Sequence, residues 1–309
     1  MSEIKIISHK NPDTDSVCGS LVLQDYLSQL WKKSTPIKLG KLNKETEFLL
    51  KKLWIKEPET VTELEEWAKI ALVDHNEQSQ SIENLWKYEI EYVVDHHKFW
   101  GFTTSDPLFI RVEKLCSTNS VLFKMYKEAG FEISKQIATL MIAAILSDSL
   151  NFRSATTTKE DVAICKELNQ IAQIENLDAF AMKMFDEKSD LSDFSIEEII
   201  NSDYKEFKMN WTKTGIWTLE TTNPHFALWK KEELLEWLKK IKSETWLDFI
   251  LLSVVDILNE KNTSLVLDWF ETEVIEKVFW TKVENNLADL WKRLSRKKQV
   301  APDLTNYFS

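Results

Sequence analysis

The amino-acid sequence predicts an α/β fold, in which an N-terminal, mostly parallel sheet flanked by helices precedes a second, smaller mixed α/β domain. Short apolar runs alternate with amphipathic segments in the first part of the chain, which is typical of a parallel sheet covered by helices on both faces. A polar stretch, DEKSDLSDFS at residues 186–195, interrupts this pattern before it restarts. The 309 residues, 43% of them apolar, suffice for two cores. We therefore expect domains over residues 1–188 and 195–309, joined by a linker at 189–194.

Each predicted element follows from its hydrophobic periodicity. Residues 4–7, 70–73 and 92–94 are short apolar runs and predict buried strands. A helix after the first strand is indicated by apolar residues at helical spacing, namely Leu23, Tyr26, Leu27, Leu30 and Trp31. Residues 137–146 are apolar and alanine-bearing, and their length favours a buried helix. In the second domain we expect strands over 215–222, 246–257 and 264–270, and one helix with Leu234, Trp237, Leu238 and Ile241 on its buried face.

Composition and charge exclude several function classes. A net charge of −11 argues against nucleic acid as a partner, because duplex binding needs a basic face. Three widely spaced cysteines without a CxxC pair suit a reducing cytoplasm. We expect neither an export signal nor a membrane span, because the first residues show no basic region followed by a long apolar stretch and no apolar run reaches the roughly 18 residues of a span. The chain has 5 glycines and 13 tryptophans, and we interpret the tryptophans as core and interface bulk.

Four of the five histidines lie in segments that also carry aspartates and that end apolar runs. The segments are IISHKNPDTDS, ALVDHNE and YVVDHHK, and a fourth, AAILSDSLNF, has aspartate without histidine. One such segment alone is usually a polar loop. Open α/β sheets, however, bind ligands beyond the carboxyl ends of their strands, and three of these segments end predicted strands. Aspartates that converge there repel one another unless a cation neutralises them.

These residue types indicate a divalent metal centre. Carboxylates with few imidazoles and no thiolate form a hard ligand set, which suits manganese, cobalt or magnesium better than a structural zinc. Six ligand candidates fit two ions that share a bridging aspartate. Two such ions clamp the attacking and leaving oxygens of an in-line displacement and lower the pKa of a bridging water, which predicts phosphoryl transfer to water. For Asp15 a structural alternative stays open, since Asp15 and Ser16 can also cap the following helix.

The motifs HKNPDTDS, VDHN, VDHHK and SDS, in this order, resemble the DHH phosphoesterase superfamily. Within it, SRKKQVAP at residues 295–302 resembles the family II, manganese-dependent inorganic pyrophosphatases, as do LGKLNKET, DHNEQSQSI, SDSLNFRSATTT and DLSDFSIEEII. The resemblance covers essentially the whole chain. It implies a DHH domain followed by a DHHA2-type domain, and hydrolysis of pyrophosphate to two orthophosphates by a bridging water or hydroxide that two metals activate.

The resemblance also implies site roles. One manganese would be held by His9, Asp13 and Asp74, and the second by Asp15, Asp74, His96 and Asp148. Asp74 would bridge the two ions, and His97 would face the substrate as a hydrogen-bond or proton partner, which makes these two the catalytic residues. Pyrophosphate would be bound from the second domain by Lys205, Arg296 and Lys297, which suit phosphate contacts.

Several further expectations rest on the same resemblance. The two domains would close over the substrate, Mg²⁺ would enter with pyrophosphate, Co²⁺ could replace manganese, and the protein would be a cytoplasmic homodimer. His75 and His225 would be packing or structural residues. The sequence departs from the family pattern at three positions. Ser8 and Trp31 stand where glycine is common, and Cys116 begins a stretch that contains glycine in the family. A residue with a Cβ atom fits positive φ poorly, so the backbone conformation at these positions is expected to differ from that of the family.

Two other functional interpretations of the sequence remain. The same metal ligands would serve another DHH phosphoesterase, such as an exopolyphosphatase or an oligonucleotide-trimming nuclease. The nuclease branch usually carries a glycine-rich GGGH-like motif, and this chain has no GG pair. A catalytically silent metal-binding regulator is the alternative from a different class, and a missing ligand would be its sign. All six ligand positions hold competent residue types.

Overall fold

The computed structural model describes residues 3–99, 101–190, 195–197 and 204–309, which fall into two compact units, Met1–Lys188 and Ser189–Ser309. The strands of the first unit are β1 (Ile4–Ile7), β2 (Ser34–Lys38), β3 (Glu59–Thr60), β4 (Lys69–Val73), β5 (Glu89–Asp95) and β6 (Phe109–Val112). Its helices are α1 (Thr14–Gln29), α2 (Lys44–Lys52), α3 (Thr118–Ala129), α4 (Lys135–Asp148), α5 (Lys159–Ala172) and α6 (Leu177–Lys188).

The first unit is built on a six-stranded, wholly parallel sheet in the order β3-β2-β1-β4-β5-β6. The central strands are apolar along nearly their whole length because helices cover both faces, and Ile6, Ile7 and Leu72 have no exposed surface. Helix α4 is almost entirely buried from Ile137 to Ser147. The predicted fold class is confirmed. The strand order reverses between β1 and β4, which opens a crevice at their carboxyl ends.

The second unit holds a mixed six-stranded sheet in the order β11-β12-β10-β9-β8-β7. Only β8 and β9 are parallel, and the other neighbours are antiparallel. Its strands are β7 (Tyr204–Met209), β8 (Thr212–Thr221), β9 (Phe249–Asp256), β10 (Lys261–Leu265), β11 (Val283–Glu284) and β12 (Leu287–Asp289). Its described helices are α7 (Pro224–Trp229), α8 (Lys231–Thr245), α9 (Trp269–Phe279) and α10 (Ala301–Phe308), and α10 follows a π-helical turn at Arg296–Val300.

Two of the element predictions need correction. The strand expected over residues 264–270 ends at Leu265, because Asp268 begins a helix as the N-cap residue of α9. The helical stripe that included Leu30 and Trp31 is also too long, since α1 ends at Gln29. Of the linker expected at 189–194, residues 191–194 lie outside the described ranges.

The tryptophans do not provide the core bulk expected of them. Among those that the structure describes, ten are more than half exposed, and Trp217 is the one fully buried case. Buried aliphatic residues fill both cores instead. In the ranges given above, no helix is long and apolar enough to cross a membrane.

Candidate metal centre

The sequence-predicted ligands come together in the crevice where the strand order reverses. His9 and Asp13 follow β1, Asp74 follows β4, and His96 follows β5. Asp148 reaches the same place from the last residue of α4. Because the carboxyl ends of parallel strands meet at one edge of the sheet, one cleft of about 410 Å³ is lined by residues far apart in sequence, among them His9, Asp74 and Asp148.

The first group consists of His9, Asp13 and Asp74, which offer ligand atoms within 4.8 Å of one another. His9 Nε2 lies 3.5 Å from Asp13 Oδ1 and 3.5 Å from Asp74 Oδ2. Asp13 is also the N-cap residue of α1 and accepts the Ser16 N–H at 3.0 Å. The capping role considered for Asp15 therefore belongs to Asp13.

The second group is arranged around His96. Its Nε2 lies 3.3 Å from Asp74 Oδ1, 3.7 Å from Asp148 Oδ2 and 3.8 Å from Asp15 Oδ2. His96 Nδ1 contacts the Leu115 carbonyl oxygen at 3.0 Å, which fixes the ring so that Nε2 faces the carboxylates. This buried Nε2 has no hydrogen-bond partner among the described residues. Asp74 thus offers one oxygen to each group.

Two features hold Asp74 in this shared position. Its backbone adopts a left-handed conformation with φ of 62°, which is uncommon outside glycine and is often found at functional sites. Its N–H donates to the Val94 carbonyl at 3.0 Å, and its Oδ1 accepts the Thr118 hydroxyl at 2.8 Å. The turn after β4 therefore presents the carboxylate to both sides of the crevice.

Without a metal, the close histidine–aspartate pairs shift one another's pKa values. Burial would lower the pKa of His9, but hydrogen bonds to its two aspartate partners raise it to about 10. Burial would likewise lower the pKa of His96, and Asp74 and Asp15 raise it to about 9. Burial, together with the charge of Asp74, raises the pKa of Asp15 to about 7. Against its burial, the close contacts with His9 and His96 keep the pKa of Asp74 well below its usual value.

The beginning of α3 forms a support for Asp15 that the sequence reasoning missed. Asp15 has no exposed surface, and its oxygens accept hydrogen bonds from Ser117 Oγ at 2.6 Å, the Thr118 N–H at 2.7 Å and Asn119 Nδ2 at 2.7 Å. A helix N-terminus stabilises negative charge through its free N–H groups. The available signal was the run CSTNS, which has capping residue types ahead of an apolar helix.

A second missed contact orients His97. His97 Nδ1 lies 2.9 Å from Asp95 Oδ1, and the N–H groups of His96 and His97 donate to the same oxygen. Asp95 is fully buried, and its other oxygen accepts Asn76 Nδ2 at 2.6 Å. The hydrogen bond that His97 donates to Asp95 raises the pKa of His97, whose side chain remains half exposed toward the cleft.

The other positions singled out in the sequence are structural in the described chain. His75 is buried between the Val73 carbonyl at 2.9 Å and Ser81 Oγ at 3.0 Å, and burial lowers its pKa to about 4. Ser8 donates from Oγ to the Ile37 carbonyl at 3.2 Å. Ser8 and Cys116 are not at positive φ, whereas Trp31 is, with φ of 58°.

The predicted phosphate-binding cations of the second unit lie near one another. Lys205 is exposed on β7 and pairs across the sheet with Ile216. Arg296, at the start of the π-helical turn, donates from Nη1 to the Ile216 carbonyl at 3.3 Å. Lys297 follows it and is exposed. Lys205 and Arg296 are thus both neighbours of Ile216, and Lys297 is next to Arg296 in the chain.

The donor set fits divalent cations. It offers carboxylate and imidazole ligands in two groups that share Asp74, with a buried imidazole nitrogen aimed at three carboxylates and without a hydrogen-bond partner in the described part of the chain. Converging buried carboxylates need a cation for neutralisation, and nitrogen–oxygen sets of this kind bind manganese-like ions.

Comparisons with known proteins agree with this architecture. The model of the DHH family, N-terminal domain, matches residues 3–145, and that of the DHHA2 domain matches residues 182–307. Fold and site thus define a two-domain DHH protein. The chain belongs to the family of manganese-dependent, family II inorganic pyrophosphatases.

Family membership rests on relatives that match over nearly their full length. The chain is 40% identical to proteins of Deinococcus radiodurans and Bacillus licheniformis, both named as probable manganese-dependent inorganic pyrophosphatases. The alignments cover 99% of this chain and 99% and 98% of those proteins. A crystal structure from Methanococcus jannaschii, assigned to the family II inorganic pyrophosphatases, is 35% identical with a TM-score of 0.65 and 99% coverage of both chains. An exopolyphosphatase-related protein from Bacteroides fragilis, 17% identical with a TM-score of 0.51 over 99% of this chain and 93% of that one, shares the fold.

Proposed function

We propose that this chain hydrolyses inorganic pyrophosphate to two orthophosphates. The observation that carries the proposal is the buried Asp74 carboxylate, which offers its two oxygens to two separate His/Asp groups at the crevice of the first sheet. The family to which the chain belongs supplies the substrate. The division into domains over 1–188 and 195–309 with a linker at 189–194 is part of the proposal.

Two manganese ions per subunit are proposed to bind in this centre. His9, Asp13 and Asp74 would hold one, and Asp15, Asp74, His96 and Asp148 the other. When bound, such a pair neutralises phosphate charge and makes a water nucleophilic near neutral pH. The proposal includes Mg²⁺ entering with pyrophosphate and Co²⁺ as a possible substitute for manganese.

The residues of the chain supply binding and proton control. His97 is half exposed at the cleft, and Asp95 fixes its Nδ1 so that Nε2 is free to donate a hydrogen bond or a proton to a phosphate oxygen. Asp95 is therefore the carboxylate that orients His97. Lys205, Arg296 and Lys297 are proposed to bind the phosphates, and closure of the two domains over the substrate would exclude water.

Further parts of the proposal come from the family resemblance. We propose a cytoplasmic homodimer that acts on pyrophosphate and does not bind nucleic acid. The net charge of −11 supports the last point, since it opposes association with a polyanion.

The test is phosphate release from pyrophosphate, tripolyphosphate and a short oligonucleotide. The protein would be stripped of metal and reloaded with manganese in the presence of magnesium. We expect fast, manganese-dependent release from pyrophosphate alone. Faster release from tripolyphosphate would instead identify an exopolyphosphatase, and cleavage of the oligonucleotide would identify a nuclease.

A further inference from the structure

A buried carboxylate behind the metal centre belongs to neither ligand group. Glu45 lies in the first turn of α2 and has no exposed surface. Its Oε2 accepts hydrogen bonds from Thr14 Oγ1 and Ser147 Oγ, both at 2.9 Å, and lies 3.4 Å from Lys188 Nζ. Its Oε1 is buried without a hydrogen-bond partner in the described ranges. Burying a carboxylate with one oxygen that lacks a hydrogen-bond partner costs stability, which suggests that Glu45 is kept for a function.

The partners of Glu45 are neighbours of metal ligands in the sequence. Thr14 lies between Asp13 and Asp15, and Ser147 immediately precedes Asp148. One carboxylate oxygen therefore ties together two ligand-bearing segments that lie more than 100 residues apart in the chain. We propose that Glu45 is a positioning residue that fixes the distance between these segments and thereby sets the affinity for manganese, an inference that rests on the proposed metal centre.

The experiment compares Glu45→Gln with a matched control, Glu271→Gln. Glu271 is equally buried, pairs with Lys242 and also has an oxygen without a hydrogen-bond partner among the described residues, but it belongs to the second unit. Manganese affinity is measured by calorimetry on metal-stripped protein. We expect Glu45→Gln to weaken manganese binding about 10–100-fold, as for other supports of metal ligands, and Glu271→Gln to leave it unchanged.

Equal manganese affinity in wild type and Glu45→Gln would overturn the inference, as would an equal loss in Glu271→Gln. If Glu45→Gln does not fold, Ser147→Ala removes one of the two links and keeps the buried charge. We then expect a smaller but measurable loss of affinity, and unchanged affinity in Ser147→Ala would count against the inference. A wild-type protein that binds manganese but releases no phosphate from pyrophosphate would refute the proposed function alone.

A second, independent observation concerns the exposed tryptophans. Six of them lie in the left-handed region with φ between 54° and 66°, namely Trp31, Trp54, Trp67, Trp246, Trp280 and Trp291. Their exposed fractions run from 59% to 95%. A Cβ atom is strained at such φ values, and a bulky side chain there is an outlier. Because these indoles are largely in solvent, packing does not offset that strain.

The hydrogen bonds at two of these positions define their backbone motif. After α1, the Trp31 N–H donates to the Ser28 carbonyl and the Lys32 N–H to the Leu27 carbonyl, both at 2.9 Å. After α2, the Trp54 N–H donates to Lys51 and the Ile55 N–H to Leu50 in the same pattern. This is the Schellman motif, whose left-handed residue is usually glycine. Two more of the six, at positions 246 and 280, directly follow α8 and α9.

The amino-acid composition is also low in glycine and high in tryptophan. At average usage of about 7%, a chain of this length would hold roughly 22 glycines, whereas it has 5, together with 13 tryptophans. The codon UGA is read as tryptophan in some genetic codes and as glycine in others. We infer that these six positions are UGA codons and are glycine in the protein as its own organism makes it.

The direct test reads the six codons in the gene and identifies the six residues by mass spectrometry of protein from the organism itself. UGA codons and glycine-containing peptides are the expected result, and UGG codons or tryptophan in those peptides would overturn the inference. In recombinant protein with tryptophan, Trp31→Gly and Trp54→Gly should each raise Tm by about 2–4 °C. Trp86→Gly is the control, because Trp86 is 72% exposed but is not at positive φ. An equal rise in Trp86→Gly would count against the strain argument.

Discussion

Loading the metal-free protein with manganese at pH 7.5 should release at least two protons per chain from its histidines, and more from Asp148, whose pKa burial and the neighbouring aspartates raise well above its usual range. His9 has a pKa raised to about 10 and His96 one raised to about 9, so each is almost fully protonated at this pH. Imidazole must lose its proton to bind a metal. Each histidine therefore contributes nearly one proton, and Asp15, with a pKa raised to about 7, adds a fraction of another.

The assay is titration calorimetry of metal-stripped protein with manganese in several buffers that differ in ionisation enthalpy. The slope of observed enthalpy against buffer enthalpy gives the number of protons released. His9→Gln should lower that number by about one. His75→Gln is the matched control, because burial lowers the pKa of His75 to about 4 and the ring is already neutral at pH 7.5.

Release of less than one proton per chain would refute the reasoning. It would mean that the two histidines are neutral in the metal-free protein and that the carboxylate ligands are already ionised, since a protonated carboxylate would also release its proton on metal binding. An equal drop in His9→Gln and His75→Gln would show that the measured protons come from general rearrangement of the site.

Four further predictions follow from the same contacts. Asp74→Asn should lower manganese occupancy and pyrophosphatase activity together, and full activity in a metal-free Asp74→Asn protein would contradict the two-metal site. Lys297→Ala should leave manganese binding unchanged and raise KM for pyrophosphate, as measured by calorimetry and steady-state kinetics. Asp95→Asn should lower kcat about 10–100-fold in steady-state kinetics, since loss of the carboxylate charge weakens the hydrogen bond that orients His97. The metal-free protein should lose thermal stability as pH rises through 9–10, the folded-state pKa values of His96 and His9. Because the folded state binds these protons more tightly than the unfolded chain, whose histidine pKa is about 6.5, their contribution to stability is complete below that pH and is lost above the raised values. A constant Tm by calorimetry over pH 8–10.5 would contradict this.

The sequence predicted which histidines and aspartates lie close together, because their segments follow apolar runs and this pattern is local. It did not predict their supports. Ser117 Oγ and Asp15 Oδ1 are bonded across 102 residues of sequence, and no spacing rule connects them. The acceptor role of Asp95 was also missed, since no role was assigned to the aspartate of the DHH motif, which precedes its histidine partner by only two residues.

Errors in the element predictions have equally local causes. Apolar tryptophans extended the predicted helix beyond Gln29 and the predicted strand beyond Leu265, because periodicity alone counts an indole as a core residue. The structure ends the first element with a left-handed residue and begins a new helix in the second case. Backbone conformation, which apolar patterning does not encode, decides both boundaries.

The spread of the metal ligands along the chain also bears on how the protein folds. From His9 to Asp148 the ligand-bearing segments are roughly 140 residues apart, and they meet only when β1, β4, β5 and α4 are all in place. A ribosome-bound chain would therefore lack the centre until about half of it had emerged. Ions held between these segments would act as late cross-links across long loops. The entropy that the chain loses when such a loop closes increases with the length of the loop. Manganese would then slow global unfolding far more than it speeds folding.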